Sequence, residues 1–305
     1  GVTVYGSESG SYNGSLTINN GVEITSTSMA ISGNGTMDNT DITINGGTLT
    51  SLKGHVIYYP QEGDLAINGG TLTGVGGVQY CGSGKVTITG GTIRATGPYT
   101  EFPTKSADQG DGTIEDGAAL SLISRGGGYQ DEEAKVEVSI TGGNLISENN
   151  AAVTSYRYAK INGSWTTDVD DSVKSSLETV DIEGGNFTGS EEKGVFEILE
   201  SSEDDAYNIS GGSYSSPVDA KYLADSINYE LNSGDGYSYY ADLDDAMDAA
   251  APGDEIKTVN QAPATETHTV TLDYDVRSMA DTVVEVADET EFTLPDATRS
   301  GYDLV

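Results

Sequence analysis

Short runs in which apolar and polar residues alternate recur along the chain, each closing on a pair of glycines. "ITINGGTLTS" (42–51) is one; "LAINGGTLTG" from Leu65, "VTITGGTIRA" from Val86, "VSITGGNLIS" from Val138, "VDIEGGNFTG" from Val180 and "YNISGGSYSS" from Tyr207 are the others. Within Ile42–Ile44 the alternation sends apolar side chains to one face and Thr43 and Asn45 to the opposite one, which is the period of a β-strand. A degenerate earlier copy, "LTINNGVEI" (16–24) followed by "MAISG" (29–33), extends the series toward the start of the chain.

The first glycines, Gly46, Gly69, Gly90, Gly142, Gly184 and Gly211, are 23, 21, 52, 42 and 27 residues apart. A second register explains the long gaps. About ten residues after each double glycine comes another short apolar run, "HVIYY" (55–59), "GVQYC" (77–81), "ALSLI" (119–123), "AVTSY" (152–156) and "GVFEI" (194–198). Each interval therefore holds one unit, and the two long ones carry insertions. Self-similarity at this period, with short strands in every unit, is the signature of a solenoid. A single unit leaves its apolar face uncovered. Stacking at the interstrand spacing of about 4.8 Å would align Ile44, Ile67, Ile88, Ile140, Ile182 and Ile209 in one column. Val56, Val78, Leu120, Val153 and Val195 would align in another. The glycines are expected at the corner between two walls, where positive φ or close approach to the next unit leaves no room for Cβ. The predicted fold is all-β: a right-handed parallel β-helix of about seven coils, roughly 30 Å long at that rise. Independent hairpins would not keep two registers in step. A calcium-binding nonapeptide roll needs an Asp where Thr48-Leu49-Thr50 stands, and the Thr-x-Thr ladder of an ice-binding face breaks at Ile93-Arg94.

Beyond Gly212 the pattern changes. Leu243, Met247 and Ala250 mark a short helix near 242–251, ended by Pro252-Gly253. The stretch 205–258 resembles the segment that closes glycine-repeat β-helices in surface proteins of gut Firmicutes, which implies a cap over the open end of the stack. Residues 268–305, with the strand Val270–Tyr274, "TVVEV" and "FTLPDATRSGYDLV", resemble the opening half of a Listeria–Bacteroides repeat, a β-grasp-like B-repeat of bacterial surface proteins. That resemblance implies a stalk-like spacer, an extracellular setting and attachment to, or secretion from, a Gram-positive cell surface. The expected division is a β-helix over 1–216, a connector with the helical cap over 217–262 and a partial B-repeat-like module over 263–305. Because the chain opens on Gly1, it is expected to be a piece of a larger protein.

Composition narrows the partners. The net charge is −35, which opposes binding to nucleic acid or to an anionic membrane. No apolar run is long enough to span a bilayer. One cysteine, Cys81, excludes an internal disulfide framework and reads as a small buried hydrophobe. With only His55 and His268, neither a multi-histidine metal site nor a serine-histidine-aspartate triad has much to draw on.

Function is expected where the units are interrupted. Three insertions, 96–116, 125–135 and 156–176, leave neighbouring units and are rich in rings: Tyr99, Phe102, Tyr129, Tyr156, Tyr158 and Trp165, with Arg125 and Arg157 beside them. Aromatic faces with adjacent polar groups suit sugar stacking or a protein hot spot; the same rings would serve equally to pin long loops to the wall. Glycoside hydrolysis would need a carboxylate pair facing a cleft, for which Asp108 and Asp111, or Asp168, Asp170 and Asp171, are available. A uronate lyase would want an Arg or Lys as base and a site able to hold an anionic polymer, a poor fit to a chain with 14 basic residues. The same three aspartates, 168, 170 and 171, are the only calcium candidates, and they lack the Gly and distal Glu of a loop ligand set; no cofactor is otherwise expected. The expectation is a monomeric, non-catalytic adhesin that binds a host or dietary glycan, or a host glycoprotein such as mucin or an immunoglobulin. A polysaccharide-degrading enzyme and a plain spacer are the alternatives.

Overall fold

The computed structural model describes residues 1–6, 13–34, 40–99, 113–114, 116–125, 135–161, 164–167, 169, 174–199, 205–259, 267–272 and 282–287. The chain divides into two compact units, Gly1–Ala224 and Asp225–Val305. The division falls later than the expected 216, because residues 217–224 fold with the first unit.

The first unit is built from short strands paired in parallel, arranged as three stacks that the chain visits in turn. The first stack contains the strands that precede the glycine pairs, such as Thr40–Ile44 and Leu65–Ile67, with a register shift between Val136 and Glu137 where they pair with the following strand. Ile18, Ile44, Ile67, Ile88, Ile140, Ile182 and Ile209 pair in sequence down this stack. All seven are buried. At roughly 1.5–3 kcal/mol for each buried side chain, this column is a principal source of stability. Thr43 and its equivalents face outward.

The second stack holds the strands after the glycines, such as Thr48–Ser51 and Thr71–Gly74. Its inward column runs Ile24, Leu49, Leu72, Ile93, Leu145, Phe187 and Tyr214. The corner between the two stacks needs glycine twice, for different reasons. At Gly69 a Cβ would sit 2.8 Å from the Asn45 carbonyl oxygen, while Gly70 has φ +93°. Close approach falls on the first glycine and the left-handed conformation on the second, a division repeated down the stack. Outside the corner the side-chain amide of Asn68 donates to Asn45 (3.0 Å), and that of Asn45 donates to Asn19 (3.1 Å).

The third stack contains Ile31–Ser32, His55–Tyr59, Gly76–Tyr80, Leu120–Arg125, Val153–Ile161 and Phe196–Ile198, with Val2–Thr3 at its start. Its column is Ile31, Ile57, Val78, Leu120, Val153 and Phe196. Val56 and Val195, expected in this column, sit one residue earlier, so their side chains turn to the other face. Tyr59 and Tyr80 stack with ring centroids 4.9 Å apart. Their hydroxyls donate to the carbonyls of Thr40 and Gly63.

At the last level of the first unit the interior changes from aliphatic to aromatic. Phe187 stacks on Tyr214 (5.1 Å), and Phe196, Tyr207 and Tyr222 fill the space beside them, Tyr222 arriving on a 3-10 turn, Ala220–Tyr222. Five rings close this end of the core.

In the second unit Tyr229–Asn232 pairs antiparallel with Tyr237–Tyr240 and with Glu255–Thr258. Thr282–Ala287 lies parallel to Glu255–Thr258 and antiparallel to Thr267–Leu272. The predicted helix is present as α1, Leu243–Ala249. Its Leu243, Ala246 and Met247, with Ala250 after it, pack on Leu231 and Ile256 of the same unit. The expected cap helix thus spends its apolar face on its own sheet. Of the predicted C-terminal strands, the first begins at Thr267 and ends at Leu272, and residues 273–281 and 288–305 lie outside the described residues.

Candidate functional site: the outer face of the third stack

Strands of the first two stacks alternate buried and exposed positions, whereas His55–Tyr59, Gly76–Tyr80 and Leu120–Arg125 are buried at every residue. Since successive side chains leave a strand on opposite faces, the third stack is covered on both. Its outer positions form two rows. One is Tyr58, Gln79, Ser121, Thr154 and Glu197; the other includes Cys81, Ile123 and Tyr156. Tyr58, Cys81, Ile123, Tyr156 and Tyr158 gather with Ile114 into an apolar cluster of their own.

Ile114 belongs to the returning arm of the first insertion, and backbone groups fasten it down. Its N–H donates to the Gln79 side-chain oxygen (2.8 Å), and its carbonyl lies 2.7 Å from His55 Nε2. Two residues on, Asp116 is 1% exposed and is the hub of a polar network. Its carboxylate accepts from the Ser121 hydroxyl (2.9 and 3.0 Å), the Thr154 hydroxyl (2.8 Å) and the Ala118 N–H (3.0 Å). Its carbonyl accepts from the Asn150 amide (2.7 Å). Uncharged donors therefore satisfy this buried carboxylate, and a hydroxyl from each of two neighbouring strands is tied to the arm that crosses them.

The predicted site residues separate into three groups. Tyr156 and Tyr158 are fully buried, their rings edge-to-face at 6.4 Å, and Arg125 and Arg157 are buried beside them. Arg125 donates to the Tyr58 hydroxyl at 3.2 Å. These four residues are interior packing and present no face to a ligand. Burial, with the Asp116 carboxylate as a lesser contribution, holds the Tyr156 hydroxyl well above the ordinary tyrosine range. Tyr99 is half-buried, and the Lys193 ammonium lies 3.6 Å from its ring centroid, a cation–π contact. Trp165 lies on the short strand Ser164–Thr166, which folds back on the far end of Val153–Ile161 as a hairpin and pairs Trp165 with Lys160. Phe102, Tyr129, Asp108, Asp111, Asp168, Asp170 and Asp171 lie outside the described residues.

A groove of about 350 Å³ opens at the end of this stack. Strand Phe196–Ile198 forms one side and residues 216–222 the other, with Lys193, Glu197, Asp219 and Tyr222 among its lining. Lys193 Nζ reaches Glu197 Oε1 at 3.5 Å. Burial raises the Glu197 carboxyl above the usual glutamate range, the Lys193 ammonium opposes that rise, and Asp116 adds to it. Nothing in the period of the sequence marks Asp116 or this groove, since both arise where separated segments meet.

Among the described residues no group of three His, Cys, Asp or Glu side chains is placed to hold a metal ion. No described helix is long and apolar enough to cross a membrane. Comparison of the chain with known protein families, with curated proteins and with solved structures finds no match to any of the three.

Proposed function

We propose that the chain is a non-catalytic adhesin fragment of a bacterial cell surface, wall-attached or secreted, in which a right-handed parallel β-helix of about seven coils carries a recognition surface made by its inserted segments. The three parallel stacks are read as the walls of that helix, with the strands Thr267–Leu272 and Thr282–Ala287 as the start of a β-grasp-like stalk module. The observation that carries the reading is the hairpin of Val153–Ile161 and Ser164–Thr166, which extends the third stack beyond its ladder and sets the only Trp, Trp165, on it. Such a ring suits stacking on a sugar, and the ligand is a host or dietary glycan or a host glycoprotein. A polyanion such as nucleic acid is disfavoured by the net charge of −35. Asp116 itself is fitted to a structural role, because a carboxylate already holding four donor contacts has little capacity for general acid or base work.

The test is a glycan-array and host-glycoprotein screen of the chain beside Trp165→Ala. Loss of binding in a variant that keeps its unfolding midpoint supports the adhesin. Absence of binding by both proteins leaves the spacer, which the burial of Tyr156 and Tyr158 favours, and the polysaccharide-degrading enzyme, which a polysaccharide-cleavage assay then tests.

A further inference from the structure

Among the described residues of the first unit, the third stack ends on Phe196–Ile198, which pairs with Val153–Ser155 on one side only. Val153 N–H donates to the Val195 carbonyl (3.0 Å) and Leu199 N–H to the Ser155 carbonyl (2.9 Å), in a ladder that pairs Val153 with Phe196 and Ser155 with Ile198. In a parallel pair of this register the carbonyl of Val195 and the groups of Glu197 and Leu199 point to the neighbouring strand. Those of Phe196 and Ile198 point away from it. Among the described residues the backbone N–H and C=O of Phe196 and Ile198 have no partner, and the groove lies along them. Exposed edges of this kind are ordinarily blunted by a charge, a bulge or a covering segment. Here the covering segment, 216–222, stands off across the groove. It is tied down by the Ser216 hydroxyl, which accepts from Val195 N–H at 2.9 Å.

The charges beside the edge favour one sign of visitor. Lys193 is already engaged by the Tyr99 ring and by Glu197 Oε1. Glu197 Oε2 is buried with no hydrogen-bond partner among the described residues, and Asp219 lines the opposite side. The groove is therefore lined by the Glu197 carboxylate, whose side chain is 22% exposed, and by a second carboxylate, Asp219, within a chain of net charge −35.

We propose that this edge docks an extended polypeptide segment of a partner protein, added as a further parallel or antiparallel strand on Phe196–Ile198, with a lysine or arginine of that segment on the Glu197 carboxylate. Main-chain pairing supplies affinity and the basic side chain supplies selection. This site is separate from the Trp165 hairpin, and its test is independent of any glycan.

The probe is a fluorescent, end-blocked peptide, Thr-Lys-Val-Thr-Val-Lys-Thr, titrated into the full chain by anisotropy. Three comparisons accompany it: the same peptide with Glu for Lys, the same peptide N-methylated at alternate residues, and the protein variants Ile198→Pro and Glu197→Gln. Ile198→Pro removes an outward-facing N–H and spares the inner ladder. The expected result is saturable binding of the basic peptide, weakened about tenfold or more by N-methylation and by Ile198→Pro, as loss of one or two strand hydrogen bonds implies. The acidic peptide should not bind, and Glu197→Gln should weaken the basic one several-fold. Failure of the basic peptide to bind the unaltered chain overturns the proposal, as does binding that ignores N-methylation and Ile198→Pro together. Equal binding of acidic and basic peptides overturns the assigned chemistry. Self-association in sedimentation that Ile198→Pro abolishes replaces the partner segment with a second copy of this chain.

Discussion

The first and third stacks are both ladders of parallel strands, yet they meet their surroundings differently. In the first, Ile42 and Ile44 are buried and Thr43 between them faces outward. In the third, Ile57 and Tyr58 are both buried, as are Leu122 and Ile123. The first stack is a scaffold with one working face. The third has an additional layer laid over it by an insertion and fixed through Asp116, His55 and Gln79. A unit that only repeats needs no such layer, so the third stack is where this chain departs from its own repeat.

The comparison is sharpest at outward positions. Tyr156→Ala, on the outer face of the third stack, is expected to cost about 3–5 kcal/mol in denaturant unfolding of the first unit, the usual penalty for emptying a large buried aromatic site. Asp116→Ala comes next, at roughly 2–4 kcal/mol, because it strands the donors of Ser121, Thr154 and Ala118 in the interior. Gly70→Ala, at the corner both stacks depend on, should cost about 1–2 kcal/mol through its positive φ. Gly70→Asn should cost less than that, since Asn tolerates the left-handed region better. Thr43→Ala, outward on the first stack, should change stability by less than about 0.5 kcal/mol. Equal costs for Tyr156→Ala and Thr43→Ala would erase the distinction between the stacks.

Alkaline pH probes the buried phenols. Burial raises Tyr59, Tyr80 and Tyr156 above the ordinary tyrosine range. A raised group contributes its full stability below the unfolded value of about 10 and loses it as pH climbs past that. Each of these residues should therefore cost about 1.4 kcal/mol of stability per pH unit above about 10, and unfolding should begin there. Tyr156→Phe is expected to make that decline shallower, as followed by tyrosinate absorbance against pH.

The isoleucine column from Ile44 to Ile209 was legible in the sequence because each strand of the first stack has one apolar face, and a period of two then fixes which side turns inward. The third-stack column was legible only to within one residue. "HVIYY" is apolar at every position after His55, so alternation cannot distinguish Val56 from Ile57. The same ambiguity hid the fate of Tyr156 and Tyr158, which read as display residues of an insertion and lie buried on the strand before it. Between Ala151 and Tyr158 the polar residues Thr154, Ser155 and Arg157 fall on both faces of the strand, so no alternation marks one face as outward and the burial of both was not legible. The aromatic plug of Phe187, Phe196, Tyr207, Tyr214 and Tyr222 is dispersed over 36 positions and becomes a cluster only once three stacks bring those residues to one level.

The lone cysteine offers the most direct measurement. Cys81 lies in the outer cluster of the third stack, beneath the inserted arm, and is fully buried. Its rate of labelling by a thiol reagent should be negligible under native conditions and rise only along the denaturant unfolding curve of the first unit. Rapid stoichiometric labelling of the native protein would show an outer face open to solvent and would contradict the two-sided burial on which the account of the third stack rests.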